Sequence, residues 1–62
     1  MSIELTKARI ALAHATEIKH QIRLMVDTGM ATPLDYSNAV LNWIDAVAEV
    51  MTLEHLEGVS HE

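Results

Sequence analysis

Apolar residues recur at spacings of three and four along most of this chain, the pattern of helices that each bury one side. In the first half Ala8, Ala11, Ala15, Ile18, Ile22 and Met25 form such a stripe, widened by Leu5, Leu12 and Val26. In the second half the stripe reads Tyr36, Val40, Trp43, Val47 and Val50, flanked by Ala39, Ile44, Ala46, Met51 and Leu53. Together they predict an all-α protein, an antiparallel helical hairpin of two long helices that meet along this seam. Two further sets of residues do not fit the seam. Ile3, Ile10 and Leu24 fall on the far side of the first helix, about 160–200° around at 100° per residue. Leu34, Leu41 and Ala48 widen the apolar arc of the second helix to roughly 220°. Two facing helices bury one stripe apiece, so an arc this wide predicts a further partner. The simplest is a second copy, making a dimer in the form of a four-helix bundle.

Punctuation marks the boundaries. Ser2 is placed to cap a first helix over about 2–28, and Gly29 supplies the left-handed residue at which helices commonly end. A turn over 29–32 follows. Thr32 then caps a second helix over about 33–57, with Pro33 at the first helical position and Asp35 in the turn that favours anions. Gly58 is expected to stop that helix and leave a frayed tail over 58–62. The whole chain, 1–62, reads as a single hairpin domain.

With 62 residues, a domain has a marginal core, and small scaffolds need disulfides, metal, very good helix packing or oligomerisation. Cysteine is absent, which excludes disulfides and fits a cytoplasmic location. No apolar run approaches the ~20 residues of a membrane span, and no basic-then-apolar leader opens the chain, so no membrane association is expected. Charge is unevenly spread: up to Asp27, Lys7, Arg9, Lys19 and Arg23 outweigh Glu4, Glu17 and Asp27, whereas beyond it there are six acids and no Lys or Arg. Opposite halves attract, which favours both the hairpin and pairing between subunits. Nucleic acid is not expected as a partner, because phosphate binding needs a basic stripe.

Candidate chemistry is sparse. Glu17 and His20 have the Glu-x-x-His spacing of di-iron bundles, but they lie away from the aliphatic seam where such a site would form. His14 and His20 point in different directions, and His55 and His61 sit in or near the tail. Ser2, Ser37 and Ser60 lack the glycine elbow of an activated nucleophile. No catalytic residue, metal ligand or cofactor site is therefore assigned, and no enzyme is expected. Tyr36 and Trp43, seven residues apart on one face, are either seam-filling residues or a binding hot spot. With Ile3, Ile10, Leu24, Leu34 and Leu41 they make up the candidate protein interface. A second reading gives the acidic second helix the role of an inhibitor or regulator that blocks a basic site on a partner protein.

The stretch Val26-Asp27-Thr28-Gly29-Met30-Ala31-Thr32, between a helix with Ile18 and Ile22 and one with Trp43, resembles the C-terminal helical hairpin of tailed-phage tail fibre assembly proteins. That resemblance implies a chaperone that helps fibre trimers fold or stay competent for attachment. Pro33 and Tyr36 at the start of the second helix give a weaker similarity to the small hairpin co-chaperones of type III secretion. Both imply a noncatalytic hairpin, of phage or bacterial origin, that holds another protein.

Overall fold

The computed structural model describes residues 3–60, with side chains as far as 58, and places them in two helices, α1 (Ile3–Asp27) and α2 (Pro33–Ser60). Ser2 with its expected cap, the Ser60 side chain, and His61 lie outside what is described. Among the described residues there is no strand. At 1.5 Å per residue the helices are about 37 and 42 Å long, close enough in length to pair along most of α1.

The turn is built from backbone chemistry that the local sequence supplies. Gly29 takes φ of 79°, the left-handed conformation that a Cβ makes costly. Its N–H donates to the Val26 carbonyl at 3.1 Å and the Met30 N–H donates to the Met25 carbonyl at 2.7 Å. This pair of bonds is the Schellman closure, which satisfies carbonyls that the end of a helix leaves without partners. The Thr28 hydroxyl adds a bond to the Met25 carbonyl at 3.1 Å. On the other side of the turn Thr32 and Asp35 form a reciprocal capping box. The Asp35 N–H donates to Thr32 Oγ1 at 3.2 Å, and the Thr32 N–H donates to Asp35 Oδ2 at 2.9 Å. Pro33 between them gives up no hydrogen bond, since the first helical N–H has no partner inside the helix.

The seam differs from the one the apolar pattern predicts. On α1 Leu5 and Ala8 are buried, and Leu12, Ala15, Thr16, Lys19, Ile22 and Val26 are half-buried. Ala11, Ile18 and Met25, expected in the seam, are exposed. The contact line is thus turned by roughly 60° round α1. Trp43 accounts for the shift. Its indole N–H donates to Thr16 Oγ1 at 3.0 Å, and the Lys19 ammonium lies 4.1 Å from its ring centroid. A half-buried indole needs an acceptor for its N–H and a cover for its face, and α1 presents both from positions that are polar by type. On α2 Ala39 and Val50 are buried, with Tyr36, Val40, Trp43, Ala46, Val47 and Leu53 half-buried, while Ile44 and Met51 face solvent instead of flanking the seam.

Gly58 does not end α2, which runs on to Ser60. Glycine in a helix costs about 1 kcal/mol relative to alanine but does not forbid the helical conformation. Here no positive φ is taken at that position.

Candidate interaction surface

Very little of the chain is removed from water. Among the described residues those that reach burial are Leu5, Ala8, Ala39 and Val50, and no described side chain is fully buried. Leu5, Ala8 and Val50 form one cluster near the open end of the hairpin, with Leu12 and Leu53 packed against it. Beside it Arg9 Nη2 meets Glu54 Oε2 at 3.0 Å, an exposed ion pair of the kind worth about 0–1 kcal/mol. Against this small core stand eleven large apolar side chains that are exposed among the described residues.

The exposed residues fall into separate sets. Ile3, Ile10 and Leu24, 54 to 73% exposed, lie on the side of α1 turned away from α2, where the pattern of the sequence places them. Glu17 stands in the same line and interrupts it. On α2 the exposed Leu34, Leu41, Ile44 and Met51 share a stripe with Ser37 and Ala48, and these four large side chains are 49 to 68% exposed. The stripe recurs at intervals of three and four, the spacing of a helix–helix seam, and no charged residue falls on it between Leu34 and Met51. The line is legible in part from sequence: Leu34, Leu41 and Ala48 stand out there, and Ile44 and Met51 join them because α1 leaves them uncovered.

Tyr36 and Trp43, the aromatic members of the predicted interface, are half-buried in the seam inside the hairpin. The partners of Trp43 are Thr16 and Lys19, two contacts that apolar periodicity cannot reveal. Thr16 in turn donates its hydroxyl proton to the Leu12 carbonyl at 2.8 Å, which leaves its oxygen free to accept from the indole.

A shallow groove of about 310 Å³ lies on one face of the hairpin near the turn. Ile18, Ile22 and Met25 make its α1 wall, Met30 and Ala31 its end, and Asn38 and Asn42 part of its α2 wall. Asp35 borders it with its carboxyl held below the ordinary value of 3.8, first by the Thr32 N–H bond and then by the Thr32 hydroxyl bond. That carboxylate is committed to the cap. Glu17 and His20 are both exposed, and the Gln21 amide donates to Glu17 Oε1 at 3.4 Å. No group of three or more potential metal-binding side chains occurs among the described residues. No described helix is long and apolar enough to cross a membrane. No protein family matches the chain, and comparison with curated proteins and with solved structures likewise found nothing similar.

Proposed function

We propose that this hairpin is a noncatalytic protein-interaction module that self-associates as a dimer, four helices in all, and serves as an assembly chaperone or accessory factor. The observation that carries this reading is the imbalance, among the described residues, between four buried residues and eleven exposed large apolar ones. Monomers expose single aliphatic residues freely, but burial this slight among the described residues leaves the cost of ordering the backbone largely unopposed. The local resemblance of Val26–Thr32 to tail fibre assembly hairpins supports the chaperone part. Sedimentation equilibrium over a hundredfold range of concentration tests the self-association. The expected result is a dimer mass that falls toward the monomer on dilution, and a monomer mass throughout would overturn it.

The competing reading, an acidic inhibitor of a basic site, rests on α2, where Asp35, Asp45, Glu49 and Glu54 are exposed and no Lys or Arg is present. Salt separates the two. Apolar self-association of a chain with net charge −5 should hold or tighten as salt is raised, whereas capture of a basic partner should weaken.

A further inference from the structure

We propose that the outer stripe of α2 is covered by α2 of a second copy, running antiparallel about a two-fold axis that passes between Leu41 and Ile44. This rests on the self-association reading and names its interface. Leu34, Ser37, Leu41, Ile44, Ala48 and Met51 read large, small, large, large, small, large, the same from either end. An isologous interface needs a surface that is complementary to itself when turned by 180°. Laid antiparallel with Leu41 opposite Ile44 of the copy, the stripe sets Leu34 against Met51 and Ser37 against Ala48, so large side chains meet large ones and small meets small. A foreign partner places no such demand on the sequence.

The flanking positions agree with this register. On the edge toward the seam Val40 of one copy comes beside Val47 of the other, and both are half-buried already, so the new contact continues the existing core. On the opposite edge Asn38 comes beside Asp45, an amide that can donate to a carboxylate. Pro33 comes beside Glu54. Although α2 carries acids and no Lys or Arg, the register sets no acid directly against an acid. The corresponding line on α1 lacks these features, because Glu17 stands between Ile10 and Leu24.

The absence of cysteine from the chain allows a clean test. Ser37→Cys and Ala48→Cys each replace one small exposed side chain by another, so folding is little disturbed. In the proposed register position 37 of one copy faces position 48 of the other, while like positions are about 16 Å apart along the axis, out of disulfide reach. Under mild oxidation a mixture of the two variants should give a mixed disulfide dimer, and neither variant alone should cross-link. In sedimentation Leu41→Asp should weaken association at least tenfold, and Ala13→Asp, at an exposed position of α1, should leave it unchanged. A parent that is dimeric but gives no mixed disulfide would overturn this interface and leave self-association standing. A parent that is monomeric would overturn both.

Discussion

At the open end of the hairpin Leu5, Ala8 and Val50 exclude water together, with Leu12 and Leu53 packed on them and Arg9 reaching Glu54 beside them. At the turn end Ala39 is the buried residue, Ile18 and Met25 face an open groove, and order comes from backbone bonds around Gly29 and the Thr32–Asp35 box. Chain connectivity explains the contrast. Helices joined by a five-residue connection are held close there whatever their side chains do, so local hydrogen bonds suffice to set direction. Far from the turn side-chain burial keeps the helices together, and the exposed Arg9–Glu54 pair adds little. The hairpin places its scarce burial where connectivity helps least.

If that division is right, substitutions at the two ends should differ in size and in kind. The largest effect is expected at the open end, where Leu5→Ala should cost about 2–3 kcal/mol, read as a lower denaturant midpoint. At the turn Gly29→Val must put a β-branched side chain at positive φ, costing about 1–2 kcal/mol of strain although nothing lies within 4 Å of the added Cβ. A Gly29→Val variant as stable as the parent would mean that backbone geometry does not hold that end. Smaller again, Thr32→Ala should cost about 1 kcal/mol by removing half of the capping box. That loss should also depend on pH. The Asp35 carboxyl is lowered in the folded protein, so its contribution is complete well above 3.8 and fades as pH falls through its lower folded value. Thr32→Ala keeps the N–H bond, the larger cause, and removes only the hydroxyl's share, so the gap between parent and variant should narrow slightly in acid; a gap that widens there would contradict the assigned cap.

The same division decides what could be read from sequence. The turn was legible residue by residue, because Gly29, Thr32, Pro33 and Asp35 act on neighbours within a few positions. Both helices and their antiparallel pairing followed from periodicity and from that turn. The rotation of α1 did not follow, since Thr16 and Lys19 are polar by type and gain their place in the seam from Trp43, twenty-seven and twenty-four positions away. Periodicity alone places Ile18 and Met25 inward for the same reason, and Ile44 and Met51 with them. Periodicity counts apolar residues on a helix but does not say which of two apolar sides meets the other helix. On α2, with one side made of Val40, Trp43 and Val50 and another of Leu41, Ile44 and Met51, that choice belongs to the pairing of the helices.

The proposed self-association requires that this hairpin reach its stability only with its outer apolar surface covered. Thermal melting followed by circular dichroism at protein concentrations from about 1 to 100 μM tests it most directly, because coupled folding and association makes the midpoint depend on concentration. The expected result is a midpoint that rises steadily across that range, with helix content falling at the most dilute end. A midpoint that stays constant, with full helicity at every concentration, would contradict it.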